Sequence, residues 1–152
     1  IALSEARHAA STEAMGASML AKGEALRHSE RHPEAIEAYK EGLEYAESVA
    51  DRDCVIWLNL GLADSLLRNG ETVEAKLPLN RVAQIVRNAE RFHPLEFAHW
   101  TFSNKVIAFM EGSIEEDSLS DFPQLYKDLD LVWPVDYVRS IASGNGFAPK
   151  KF

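Results

Sequence analysis

Two Glu-x-x-His pairs have a residue type and spacing that could support chemistry: Glu5 with His8, and Glu96 with His99. On an α-helix this spacing places a carboxylate and an imidazole on one face. Ferritin-like di-iron bundles use two such pairs together with a glutamate from each of two other helices. A di-metal oxidase is therefore one hypothesis. Neither pair lies in a clear four-helix pattern, so we favour solvated or helix-capping side chains and predict no metal and no cofactor.

Other catalytic signatures are absent from the sequence. It contains no glycine-rich phosphate loop, no nucleophile elbow and no zinc-ligand spacing. The one cysteine, Cys54, excludes an internal disulfide and has no partner motif. A lone cysteine of this kind is more often a small core residue than a nucleophile, and it fits a reducing, cytoplasmic location. We predict that the protein is not an enzyme.

Length and charge limit the class of partner. The chain has 152 residues, enough for one domain with a core, and a formal net charge of −8. Acidic charge disfavours nucleic acid, and no apolar run approaches the roughly 20 residues that a membrane helix needs. Residues 111–130 hold seven of the acidic side chains. We interpret this segment as a solvated linker, with an electrostatic docking patch as the alternative.

Helical periodicity dominates the sequence, and no segment alternates as a strand would. Four prolines precede apolar runs of helical period, at the first-turn position where a missing N–H costs nothing. These prolines are Pro33, Pro94, Pro123 and Pro134. The pattern predicts helices near residues 3–29, 34–50, 54–69, 73–90, 95–110, 123–131 and 135–143.

Two stretches of the chain are similar to one another at an offset of 40 residues. Gly23 lies 12 residues before Ala35, and Ala63 lies 12 residues before Ala75. A small side chain lets two helix backbones approach to about 8 Å, and a large neighbour fills the adjacent groove. The large residues that follow four positions after each alanine are Tyr39 and Leu79.

This pattern resembles the tetratricopeptide repeat family, in an extended variant of about 40 residues rather than the usual 34. The resemblance covers roughly residues 16–90. It implies an all-α fold in which antiparallel helix-pair repeats stack as a short right-handed α-solenoid with C-terminal capping helices. We predict a single helical-repeat domain over residues 1–152. Its parts are a first repeat at about 16–50, a second at about 54–90, a divergent third unit at about 94–131, and a capping helix and tail at 132–152.

The register of the second repeat has two alternatives. The sequence "WLNLG", from Trp57 to Gly61, resembles the opening of the family's repeat and would make Gly61 the packed small residue. We prefer Ala63, because it preserves the 12-residue spacing to Ala75. A shift of two residues rotates a helix by about 200°, so Trp57 faces the groove in one register and the core in the other.

The resemblance implies a non-catalytic scaffold or adaptor module that binds another protein or a peptide on a concave face lined by the first helices. Trp57 and Phe102 are candidate apolar anchors and Arg68 a candidate charged clamp, with core packing as the alternative for each apolar residue. A chaperone of similar build for a secreted or assembling client is an alternative function. The predicted groove residues are Glu24, Arg27, His28, Trp57, Leu60, Asp64, Leu67, Arg68, His99, Phe102 and Phe109.

The chemistry of this face favours a mixed apolar ligand. Family members that clamp a terminal carboxylate use lysines and asparagines on the same face. This chain carries Leu20, Glu24, Leu60 and Asp64 at the matching positions. Two apolar side chains and two acids would not attract a carboxylate.

Overall fold

A computed structural model describes residues 2–87, 93–119, 128 and 133–143. These residues contain no strand, which confirms the all-α class, and the predicted helices that they cover agree with the observed ones to within three residues. Of the predicted helix at 123–131 only residue 128 is described, and the tail after residue 143 lies outside the described residues. The helices are α1 (Ala2–His28), α2 (His32–Ser48), α3 (Arg52–Arg68), α4 (Thr72–Arg87), α5 (Pro94–Met110), a short 3-10 helix (Glu116–Leu119) and α6 (Val135–Ala142).

Helices α1 and α2 form an antiparallel pair held at close range by glycines. A Cβ atom added at Gly16 would lie 3.4 Å from the backbone nitrogen of Ala46. A Cβ atom added at Gly23 would lie 2.5 Å from Cε1 of Tyr39. The contact therefore moves backwards along α2 as it moves forwards along α1. The prediction that Gly23 lies at a close helix contact is confirmed.

Helix α3 continues the array against the other side of α2. A Cβ atom at Gly42 would lie 2.7 Å from Cδ2 of Leu58, and one at Gly61 would lie 2.5 Å from Cζ of Tyr39. Ala63 is also fully buried. Both small residues of α3 are therefore buried, because this helix contacts α1, α2, α4 and α5. The two alternatives for the packed small residue are not exclusive.

First helices lie beside first helices, as a helical-repeat array requires. Helix α3 contacts both α1 and α5, while α2 and α4 follow as the second helices of the two repeats. Helix α5 also packs on α4, where the indole N–H of Trp100 donates to the Leu79 carbonyl at 3.0 Å. The observed order therefore confirms stacked helix pairs.

The turns explain the 40-residue period. Glu30, Ala50 and Gly70 end α1, α2 and α3 with backbone φ angles of 60°, 53° and 80°. After each of them, the next N–H donates to a carbonyl five residues earlier, as from Glu71 to Leu66 at 2.8 Å. This is the Schellman closure of a helix end. Each helix and turn together take 20 residues, so two make a repeat of 40.

The first half of α1 does not belong to the packed array. Residues 2–15 are exposed apart from a half-buried Thr12, and Leu3 retains 65% of its accessible surface. Burial begins at Gly16, where α1 meets α2. None of the described helices combines the length and the apolar composition needed to cross a lipid bilayer.

Candidate functional site

A cavity of about 250 Å³ opens on the face where α1, α3 and α5 lie side by side. We call this cavity the first-helix groove. Six of the predicted groove residues line it, and Leu20 and Gly61 complete the lining. The lining residues are Leu20, Glu24, Arg27, Trp57, Leu60, Gly61, Asp64 and His99.

The wall of the groove is apolar and contains a half-buried tryptophan. Trp57 meets the ring of His99 edge-on, with 5.7 Å between ring centroids. Leu20 lies on the α1 side, and Leu60 lies one helical turn after Trp57 on α3. Gly61 has no side chain to fill the space beside them. An apolar side chain of a partner would find a partly desolvated surface here.

The floor of the groove is a charge network that joins α1 to α3. Oδ2 of Asp64 accepts hydrogen bonds from Nη1 of Arg27 at 3.2 Å and from Nε of Arg68 at 2.8 Å. Arg27 also forms an ion pair with Glu24. These two arginines and two acids balance each other, so the network presents no formal net charge.

Burial and neighbouring charges determine the protonation states in this network. Burial alone would raise the pKa of Asp64, but Arg68 and Arg27 outweigh that effect and lower the pKa to about 2. Burial lowers the pKa of His99, although the Asp64 carboxylate acts in the opposite direction. At neutral pH Asp64 is therefore a carboxylate and His99 a neutral imidazole.

Tyr39 connects the charge network to the packing of the repeats. Its hydroxyl group donates to Oε1 of Glu24 at 2.8 Å and accepts from Nε of Arg27 at 3.3 Å. Burial raises the pKa of Tyr39, so the phenol keeps the proton that it donates. The aromatic residue of the repeat pattern thus packs between α1 and α3 and also orients two groove side chains.

The other five predicted groove residues do not line the cavity. Leu67 and Phe102 are almost completely buried in the core, as the core-packing alternative states, and Phe109 packs partly against the core. His28 is exposed at the end of α1. Arg68 lies beneath the rings of two C-terminal residues, Trp133 and Tyr137.

The two Glu-x-x-His pairs do not come together in a metal site. Glu5 and His8 lie on the exposed first half of α1. Glu96 instead completes a capping box with His93, whose backbone N–H donates to Oε1 of Glu96 at 3.3 Å. In the part of the chain that the structure describes, no three His, Cys, Asp or Glu side chains are grouped as metal ligands would be.

Comparison with known proteins gives one family. Residues 15–88 match the tetratricopeptide repeat. Searches against curated proteins and against solved structures find no match. The family match begins where α1 starts to pack against α2 and contains both antiparallel helix pairs. Residues 15–88 of this chain therefore belong to the tetratricopeptide repeat family.

Proposed function

We propose that this chain is a non-catalytic module that binds another protein or a peptide in the first-helix groove. Tetratricopeptide repeats generally mediate interactions between proteins. The observation that carries the proposal is Trp57, a large aromatic side chain held half-exposed beside a charge-balanced floor. Partly exposed aromatic residues in a recess are the usual dominant anchors of protein interfaces.

The groove's chemistry favours an uncharged apolar side chain as the group that enters it. A cavity of about 250 Å³ has room for one or two side chains of a peptide rather than for a folded domain. Glu24 and Asp64 are already paired with arginines, so an additional charge would have to break an existing ion pair. A peptide with an apolar anchor and flanking polar residues satisfies both conditions.

We expect Trp57→Ala to weaken binding of such a peptide by about 2 kcal/mol, roughly thirtyfold in Kd. The effect follows from losing the half-exposed ring that would pack against the anchor. A displayed library of random peptides selected on the wild-type chain supplies the ligand, and calorimetry measures its Kd. Leu77→Ala is the matched control, because Leu77 is 73% exposed on α4 and outside the groove.

Stability measurements on the same variants separate binding from folding. Because Trp57 is half-buried, Trp57→Ala should cost less stability than the roughly 3–5 kcal/mol typical of a fully buried tryptophan. Normal peptide affinity in a Trp57→Ala protein that melts early would count against the groove. So would a loss of affinity in Leu77→Ala that matches the loss in Trp57→Ala.

Two further properties belong to this proposal. The acidic net charge of −8 supports a protein partner over nucleic acid. The lone cysteine, Cys54, is buried and supports a reducing, cytoplasmic location. Neither property depends on which peptide the groove prefers.

A further inference from the structure

The C-terminal helix α6 and the residue just before it cover part of the first-helix face. The guanidinium carbon of Arg68 lies 4.4 Å from the ring centroid of Trp133 and 5.3 Å from that of Tyr137. Trp133 also meets the ring of Phe102 edge-on at 5.5 Å. Arg68 on α3 and Phe102 on α5 are residues of the predicted groove. They are covered here by another segment of the same chain.

The covering segment is an amphipathic helix. Its buried side chains recur at helical spacing, and its other face carries the exposed Asp136 and Arg139. Arg139 forms an ion pair with Glu116 of the 3-10 helix, away from the buried face. The buried residues of the segment are Trp133, Tyr137, Val138 and Ile141.

The covered area and the open groove are adjoining parts of one surface. Asp64 is bonded to Arg27, which lines the groove, and to Arg68, which lies beneath the two rings. Glu30, in the turn after α1, is close enough to Tyr137 to affect its pKa, which burial raises. The C-terminal segment therefore extends from α5 towards the turn between α1 and α2. A peptide that followed α3 from Trp57 to Arg68 would meet it.

We infer that residues 133–143 are an intramolecular ligand of the first-helix face and that the groove's partner is an amphipathic helix of the same chemistry that displaces them. Such a partner would place one aromatic ring over Arg68 and a second ring one turn later. This inference rests on the proposed function. Because the resident helix is tethered, its high effective concentration makes an external helix bind more weakly than its contacts alone would allow.

The test uses a fluorescent synthetic peptide with the sequence of residues 133–143 and the full chain. The receptor is compared as wild type and as the double variant Trp133→Ala, Tyr137→Ala, which removes the resident rings. We expect the peptide to bind the double variant at least about tenfold more tightly than the wild type. A peptide with both aromatic residues replaced by alanine should not bind either protein.

Arg139→Ala is the matched control, because it alters the exposed face of α6 and leaves the buried face unchanged. It should bind the peptide no better than the wild type does. Equal affinity for wild type and double variant, or no affinity for a folded double variant, would overturn the inference. A selected library peptide that still depends on Trp57 would then leave the proposed function intact.

A second measurement covers the case in which the double variant does not fold. Arg68→Gln removes the cation beneath the two rings while keeping a side chain of similar length. Hydrogen exchange of residues 135–142 should become at least about tenfold faster in Arg68→Gln than in Arg139→Ala. Unchanged protection of α6 in Arg68→Gln would contradict its role as a displaceable ligand.

Discussion

Asp64→Ala is expected to lower the free energy of unfolding by roughly 3–5 kcal/mol. Asp64 is 5% exposed and is the shared acceptor for Arg27 and Arg68. Its removal leaves two largely buried cations with less compensation, and that penalty exceeds the value of either pair alone. Urea denaturation followed by circular dichroism measures the change. Asp53→Ala on the same helix is the control, because Asp53 is exposed and should change stability by at most about 0.5 kcal/mol.

The same carboxylate gives a pH signature with a defined sign. The pKa of Asp64 is about 2 in the folded chain, below the ordinary value of 3.8, so the unfolded chain binds more protons between these values. The stability that Asp64 contributes is therefore present above about pH 4 and is lost as the pH falls towards 2. Asp64→Asn should lack this part of the acid-induced loss. Parallel stability curves for wild type and Asp64→Asn would contradict the buried ion network.

Tyr39→Ala is the second substitution with a large expected effect, a loss of roughly 3–5 kcal/mol in unfolding free energy. Tyr39 is fully buried, and its ring fills the space between Gly23 on α1 and Gly61 on α3. Truncation would leave a cavity at the junction of the two repeats. Thermal and urea denaturation measure the loss. Tyr39→Phe is the control, because it removes only the hydroxyl bonds to Glu24 and Arg27 and should cost about 0.5–1.5 kcal/mol.

A compensating substitution makes this prediction sharper. Gly23→Ala in the wild type would place a Cβ atom 2.5 Å from the ring of Tyr39, which Gly61 prevents from moving away. We expect an overpacking cost of about 1–3 kcal/mol that outweighs the helix-propensity gain of about 1 kcal/mol. In the Tyr39→Ala background the clash is gone, so Gly23→Ala should become stabilising. Equal effects in both backgrounds would show that Gly23 does not pack on this ring.

The sequence allowed good prediction of those features that depend on local period and side-chain size. Helical spacing located the helices, and the equal spacing from Gly23 to Ala35 and from Ala63 to Ala75 identified the repeat. The matched segment 15–88 confirms the family. Gly61 was considered only as an alternative to Ala63, because a pattern of single small residues does not show that α3 packs on four helices.

The part of the site that could not be predicted depends on contacts between distant segments. Arg27 and Asp64 are 37 residues apart, and Trp133 reaches Arg68 across an even longer stretch of chain. No local period indicates which ring will cover which cation. For that reason Phe102 was predicted as a ligand anchor, whereas it packs against Trp133. Leu20, weighed only as a position unsuited to a carboxylate clamp, lines the groove.

A hydrogen-exchange footprint of the selected library peptide on the wild-type chain tests the central claim, binding in the first-helix groove, most directly. We predict slower exchange in residues 20–27 of α1 and residues 57–64 of α3, the segments that line the cavity. Residues 73–77 of α4, where Val73 and Leu77 are exposed, should exchange at an unchanged rate. Protection confined to α4, with α1 and α3 unaffected, would contradict binding in the groove.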